Sequence, residues 1–180
     1  MGGRTGAAVM LAGVLTLAGC TQPTDEAATP SASIDKKAAT AALWDPCTQI
    51  SDQTLRSLDV DPATRESGVG GVQTEGWKMC SWSPSPRKDY SLTVDSSIFT
   101  VDDFKKKEGN VDFVDISVKG RSGWRYHRSN DKKNEKCDLL FPSSQGVHGI
   151  SFYNLSPSAK TVPCDRALAA ADVLVPLFPK

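Results

Sequence analysis

Hydrophobic and polar residues alternate along the chain from residue 77 onward, with the period of two that indicates strands of a half-buried sheet. Trp77 and Met79 show the pattern first, and Leu92 and Val94 repeat it after an SPSP sequence that predicts a hairpin turn. The pattern predicts about six strands, at about residues 77–83, 90–97, 113–118, 123–128, 137–142 and 147–153.

Helical signals lie before, between and after these strands. Ser51 is the predicted N-cap of a short helix that Asp61-Pro62 ends, and residues 101–108 form a second short helix with acidic residues first and lysines last. From Cys164 to about residue 175, apolar residues recur on one stripe. Residues 63–76 contain glycines at 68, 70 and 71 and no hydrophobic period, so we expect a mobile loop. The fold class is therefore α+β, with a mainly antiparallel sheet of about six strands, two short helices and a C-terminal helix packed on it.

The N-terminal residues have the features of an export leader. Residues 7–19 form an uncharged run that is too short to span about 30 Å of hydrocarbon. The run ends in Leu17-Ala18-Gly19-Cys20, which resembles a bacterial lipobox, where the cysteine thiol receives a diacylglyceryl group. A secretory signal with an incidental cysteine is the alternative. We expect a signal peptide at residues 1–19, lipidated Cys20 with a flexible linker over residues 20–42, and one α+β domain over residues 43–180.

Four cysteines remain after Cys20 is assigned to lipid, namely Cys47, Cys80, Cys137 and Cys164. An even number in an exported chain indicates disulfides, and four cysteines allow three connectivities. We favour Cys47 to Cys80 and Cys137 to Cys164, because these partners are nearest in sequence and lie where a helix-flanking loop can meet a predicted strand. Zinc ligation is the rival interpretation, but no CxxC pair is present.

Charge and motifs exclude several functions. The chain has 21 Lys and Arg against 21 Asp and Glu, which argues against nucleic-acid binding. It has no GxSxG or HExxH motif, so we expect a non-catalytic protein without a cofactor. The two histidines, His127 and His148, are predicted to face solvent. Pairs of nearby aspartates are also interpreted as solvated, and they are Asp59 with Asp61, Asp102 with Asp103, and Asp112 with Asp115.

Tryptophan is the residue type that leaves a binding function open. Trp44, Trp77, Trp82 and Trp124 can line a groove for an apolar or sugar ligand, or they can fill the core, as large aromatic residues in strands usually do.

A set of short motifs resembles one family, the actinobacterial lipoproteins grouped as domain of unknown function 3558. Beyond the lipobox, the marks are Trp44-Asp45-Pro46-Cys47, Gly76-x-x-x-Cys80-Ser81-Trp82, Val118-Lys119-Gly120, Lys136-Cys137, and Pro163-Cys164 opening a terminal helix that ends in Pro176-Leu177-Phe178-Pro179. The resemblance covers the leader and about residues 43–179, and Phe178 stands where leucine is common. It implies an exported lipoprotein with the sequential disulfide pairing, and it carries over no catalytic residue.

The sequence thus favours a lipid-anchored protein on the outer face of the cytoplasmic membrane. We expect a binding or accessory module of the cell envelope, whose partners are the membrane and an envelope ligand or protein. The alternative is an envelope hydrolase of unknown substrate. A deep pocket that joins a nucleophile, a base and an oxyanion site favours the enzyme, whereas an apolar cleft without them favours binding.

Overall fold

The computed structural model describes residues 35–131, 133, 135–156 and 161–180, and these residues form a seven-stranded antiparallel sheet. The strands lie in the order β1-β2-β3-β7-β6-β5-β4 across the sheet. Their bounds are β1 Glu66–Ser67, β2 Trp77–Trp82, β3 Tyr90–Ser97, β4 Asn110–Val118, β5 Arg121–Arg128, β6 Lys136–Ser143 and β7 Gly146–Asn154. The α+β prediction is confirmed, and β2 to β7 correspond to the six predicted strands.

Five α-helices accompany the described strands, each with a short local signal at its start. They are α1 Lys36–Ala42, α2 Pro46–Gln49, α3 Asp52–Ser57, α4 Val101–Lys106 and α5 Pro163–Leu174. Asp35, Asp45 and Ser51 cap the first three through side-chain oxygens that accept backbone N–H groups. Thr100 and Asp103 form a capping box on α4. A short 3-10 turn at Val175–Leu177 continues α5.

The sheet separates two hydrophobic clusters. The larger one contains the buried side chains of α5, such as Ala167, Ala171 and Leu174, together with Leu139 of β6 and Ile150 of β7. The smaller one holds four buried residues, Phe104, Tyr126, Leu140 and Val147, with partly buried Trp77, Phe99, Val101 and Phe113 against them. Residues next to each other along a strand point to opposite faces, so Leu139 and Leu140 of β6 lie in different clusters. Helix α5 therefore covers one face of the sheet and α4 covers part of the other.

Two predicted loop segments contain regular structure. The linker prediction is wrong for residues 36–42, because α1 forms there and is tied to the domain: the hydroxyl of Thr40 accepts the Gly76 N–H at 2.7 Å, and the carbonyl of Ala42 accepts the Gln145 side chain at 3.1 Å. Residues 63–76, predicted to be a mobile loop, contain β1, which pairs with β2, and a bridge between Val69 and Val72. Both elements, α1 and β1, are short, and their sequences lack a hydrophobic period that would predict them. The signal peptide and Cys20 lie outside the described residues.

Two disulfides join the helices to the sheet. Cys47 of α2 is bonded to Cys80 of β2 with a Cα separation of 5.2 Å, and Cys137 of β6 is bonded to Cys164 of α5 with a Cα separation of 5.0 Å. This is the sequential pairing that the sequence favours. Each bridge therefore fixes one helical segment on the face of the sheet that carries the larger cluster.

The prediction that His148 faces solvent is wrong. Its side chain is 2% exposed and its Nδ1 lies 2.9 Å from the Ser96 hydroxyl oxygen. The ring stacks on Phe178 and meets the edge of Trp44. The reason is strand parity: the even-numbered residues of β7 face the larger cluster, so the position that alternation suggested to be outward is covered by the chain ends of the domain. His127 is half-buried.

The two edges of the sheet differ from its centre. At one edge, β1 is only two residues long. At the other, the pairing of β4 with β5 shifts register between Val111 and Val114, where Asp112 adopts a positive φ of 56°. Such a shift is a β-bulge, which bends the strand and interrupts its row of hydrogen bonds.

Candidate ligand-binding groove

Three aromatic rings form a cluster on the face of the sheet opposite α5. Trp77 opens β2, Phe99 precedes α4, and Phe104 lies within α4. The Trp77 ring centroid lies 5.7 Å from that of Phe99 and 5.7 Å from that of Phe104. Tilted and edge-to-face contacts of this kind are favourable ring geometries. Phe104 is buried, whereas Trp77 and Phe99 are only half-buried, so part of this apolar surface remains open.

Local backbone features position these rings. Gly76 adopts a φ of +89°, and a Cβ there would lie 3.1 Å from the Phe99 ring, so glycine allows the close approach of Trp77 and Phe99. The Gly76 carbonyl accepts hydrogen bonds from the Ser97 hydroxyl and the Ile98 N–H. On the other side, the Asn110 side chain donates to the Phe104 carbonyl at 2.8 Å and holds the end of α4. The groove walls are thus fixed by hydrogen bonds between elements.

Two adjoining cavities make up the groove. The larger, of about 420 Å³, is lined by the three rings with Asp103, Lys107 and Arg128. The smaller, of about 240 Å³, adjoins the segment between β1 and β2. It is lined by Gly68, Val69, Gln73, Thr74, Trp77, Met79, Lys107 and Arg128. Trp77, Lys107 and Arg128 line both, so the two cavities form one surface. A combined volume of this order suits a small organic ligand. We call this surface the aromatic groove.

A pair of buried carboxylates lies on the same face of the sheet. Asp95 is 7% exposed and Asp138 is 2% exposed, and one oxygen of each has no hydrogen-bond partner among the described residues. Lys136 pairs with Asp138 at 2.9 Å, and the Ser151 hydroxyl donates to the same Asp138 oxygen. Burial, together with the charge of Asp138, raises the pKa of Asp95 to about 7, although Lys136 acts in the opposite direction. Asp95 is in register with Met79, which lines the smaller cavity.

A larger cavity, of about 630 Å³, lies near residues 175–180 and is lined by three cations, Lys119, Arg121 and Lys180. The Arg121 guanidinium donates to the carbonyls of Phe178, Pro142 and Pro179. Lys119 pairs with Asp172 at 3.8 Å. Two of these three cations are therefore already engaged. The aromatic groove, whose two lining cations have no ion-pair partner among the described residues, is the better candidate.

A family model described as protein of unknown function (DUF3558) matches residues 15–177. The chain belongs to the DUF3558 family. The match confirms the predicted membership of domain of unknown function 3558. No curated protein and no solved structure matches the chain.

In this DUF3558 protein, only one of the four tryptophans lines the groove. Trp82 is 1% exposed in the larger cluster, and Trp44 packs against His148 and Phe178. The half-buried ring of Trp124 lies outside the groove, beneath the Lys105 ammonium, which is 4.4 Å from the ring centroid. Trp77 thus lines a groove, and Trp82 lies in the core.

Five of the six paired aspartates are exposed, as the sequence suggested, and Asp61 is half-buried. Asp59, Asp102, Asp103, Asp112 and Asp115 are exposed, and Asp61 accepts a hydrogen bond from the Ala63 N–H. Within the described ranges, no three His, Cys, Asp or Glu side chains are grouped closely enough to hold a metal ion. No described helix combines the length and apolar character that a membrane span requires.

Sequence reasoning missed most of the groove of the DUF3558 domain. Phe99, Phe104, Lys107 and Arg128 come from segments that carry no shared motif. The available signal was Phe104, the one ring in the short helix at residues 101–108, because a lone aromatic residue on a charged helix needs an apolar partner surface. Asp95 and Asp138 gave no signal, since alternation places them opposite the larger cluster, where a charged residue normally meets water.

Proposed function

We propose that the protein is an exported lipoprotein held on the outer face of the cytoplasmic membrane through Cys20, and that its domain is a binding module for a small, largely apolar molecule. The observation that carries the binding proposal is the aromatic groove, which leaves Trp77 and Phe99 half-exposed beside cavities of about 420 Å³ and 240 Å³. Apolar, mostly preformed concavities with few polar groups are the usual form of small-ligand sites.

The anchor proposal rests on the Leu17-Ala18-Gly19-Cys20 sequence. Two acyl chains hold a protein on a bilayer durably, at about 0.8 kcal/mol per buried methylene. With the domain beginning near Asp35, which caps α1, the segment between Cys20 and the domain is short. A ligand bound in the groove would therefore be held close to the membrane surface.

One feature favours the alternative, an envelope hydrolase: the Ser96 hydroxyl lies 2.9 Å from Nδ1 of His148, as a nucleophile does from a base. Two observations weigh against it. Ser96 is 0% exposed, and the ring of His148 is covered by Trp44 and Phe178, so a substrate carbonyl has no access to the hydroxyl. The buried pair is better explained as a polar contact inside the larger cluster. Failure of an active-site fluorophosphonate to label Ser96 is the expected result, and stoichiometric labelling would favour the hydrolase.

The binding proposal can be tested with the neutral fluorescent probe N-phenyl-1-naphthylamine. The protein is the mature chain from residue 21, which keeps every described residue but no lipid, exported so that both disulfides form. We expect saturable binding with micromolar affinity, and a loss of at least about tenfold in Trp77→Ala because the substitution removes the ring shared by both cavities.

Trp124→Ala is the matched control, because Trp124 is also a half-buried strand tryptophan on the same face but lies outside the groove. Circular dichroism establishes that each variant is folded. Equal probe affinity in both variants, or no saturable binding to the unchanged protein, would contradict a ligand site at the groove.

A further inference from the structure

We infer that the aromatic groove takes an amphipathic anion, whose apolar body lies on the rings and whose carboxylate or phosphate lies at Lys107 and Arg128. The inference rests on the proposed binding function and narrows its ligand class. It depends on three observations: the position of these cations, the state of the nearby carboxylates, and the shape of the groove.

Lys107 and Arg128 are the cations that line both cavities of the groove. Neither has an ion-pair partner within the part of the chain that the structure describes, whereas Lys78, Lys119, Lys136 and Arg166 are each paired with an aspartate. The Lys107 N–H and carbonyl are held at the end of α4, by Phe104 and Asn110 respectively, so its side chain starts from a fixed point. Two unpaired cations at the rim of an apolar concavity form a site complementary to an anion.

The carboxylates near these cations are already engaged. Asp103 lines the larger cavity, but its Oδ2 accepts hydrogen bonds from the Thr100 N–H and hydroxyl at 2.8 Å. Those bonds also lower the pKa of the Asp103 carboxyl and hold its charge at the N-terminus of α4, where the helix dipole favours it. On the far side of Arg128, both Asp131 oxygens accept backbone N–H groups. Glu135, beside them, pairs with Lys133 at 3.9 Å.

The shape of the groove selects for a small molecule with an apolar body. Its floor is the Trp77, Phe99 and Phe104 cluster, and its two parts have volumes of about 420 Å³ and 240 Å³. Small-ligand sites fall in this size range, whereas a protein partner contacts a much wider surface. A free inorganic anion would leave the rings uncovered, so the ligand must have both an anionic group and an apolar part.

Competition against bound N-phenyl-1-naphthylamine tests this inference on the mature chain from residue 21. The competitors are decanoate, decyl phosphate and 1-decanol, which share one alkyl chain and differ in head group, and inorganic phosphate, which has no chain. At about pH 7.5 the carboxylate and phosphate are ionised. We expect both amphipathic anions to compete at concentrations about tenfold lower than decanol, because a charge-assisted contact adds to the same apolar burial.

In the double variant Lys107→Gln with Arg128→Gln, decanol and decanoate should displace half of the probe at about equal concentrations. The ratio of these two concentrations should therefore fall to about one. Lys119→Gln is the matched control, since Lys119 is an exposed lysine that lines a different cavity, and its ratio should equal that of the unchanged protein. Both concentrations are measured on the same protein, so a change in its affinity for the probe alters them equally and leaves their ratio unchanged.

Each other outcome identifies which claim fails. Equal competition by decanol and decanoate would overturn the anion preference while the binding function stands. A ratio that persists in the double variant would overturn the assignment to Lys107 and Arg128. Displacement of the probe by inorganic phosphate, which has no alkyl chain, would overturn the need for an apolar body. Absence of probe binding to the unchanged protein would overturn the proposed function itself.

Discussion

Replacing Asp95 by asparagine should change how stability depends on pH. Asp95 is buried on the sheet, and its burial and the Asp138 charge raise its pKa from 3.8 to about 7. Between these two pH values the folded protein keeps a proton on Asp95 that the unfolded chain has released. Stability from this group is therefore fully present below about pH 4 and is lost as the pH rises to about 7. Asparagine has nearly the same shape and no proton to lose.

The magnitude follows from the difference between the two pKa values. That difference is about three, and each step of one in pKa corresponds to about 1.4 kcal/mol, so ionisation of Asp95 destabilises the fold by about 4 kcal/mol at pH 8. Any fixed effect of burying the amide is the same at every pH. The free energy of unfolding of Asp95→Asn relative to the unchanged protein should therefore increase by about 4 kcal/mol between pH 4 and pH 8.

Asp95→Asn must be compared with the unchanged protein, because the ionisation of His148 changes stability with pH in the opposite direction. Burial and the positive charge of Arg121 lower the pKa of His148 to about 4, so this residue favours the folded state as the pH rises towards 6.5. The assay is urea unfolding with both disulfides intact, at several pH values from about 4 to 8. Asp172→Asn, at an exposed aspartate, is the control and should follow the unchanged protein. Parallel curves for Asp95→Asn and the unchanged protein would refute the reasoning.

Three further changes test other parts of the molecule. Cys20→Ala should abolish membrane attachment and leave the domain folded, as measured by fractionation and circular dichroism; salt-resistant attachment would contradict the anchor. Removing Cys47 and Cys80 together should lower the free energy of unfolding by about 3 kcal/mol, because their bridge closes a sequence separation of 33, and peptide mapping without reduction should recover this pair. Gly149→Ala should destabilise by about 2 kcal/mol or more, since its Cβ would lie 2.5 Å from Asp95 Oδ1; an unchanged melting temperature would contradict this packing.

Period-two alternation was enough to predict six strands, because each is paired and has one face against a hydrophobic cluster. It could not predict β1, since two residues are too few to show a period. It also could not predict α1, whose residues resemble a disordered stalk in composition. That helix is stabilised by the Asp35 cap and by the contact between Thr40 and Gly76, which are far apart in sequence.

The candidate site was less predictable than the fold. The aromatic groove combines side chains from β2, α4, β5 and the connections between them, and no local pattern links these segments. The solvent-facing prediction for His148 was wrong for a related reason, and the same reason made the burial of Asp95 unpredictable. Alternation tells which face of a strand a residue occupies, but not whether another element covers that face. Disulfide pairing was more accessible, because cysteine number and order restrict it to few choices.

The form of the two sheet edges has a consequence for the membrane anchoring that we propose. An exposed, regular edge strand can add a strand from a neighbouring molecule, and confinement to a surface would make such encounters frequent. Here the outermost strand at one edge is only Glu66–Ser67, and the strand at the other edge is interrupted by the bulge at Asp112. Neither offers a long straight row of free N–H and C=O groups. Molecules that the proposed anchor gathers in one membrane patch would therefore be protected against pairing edge to edge through their sheets.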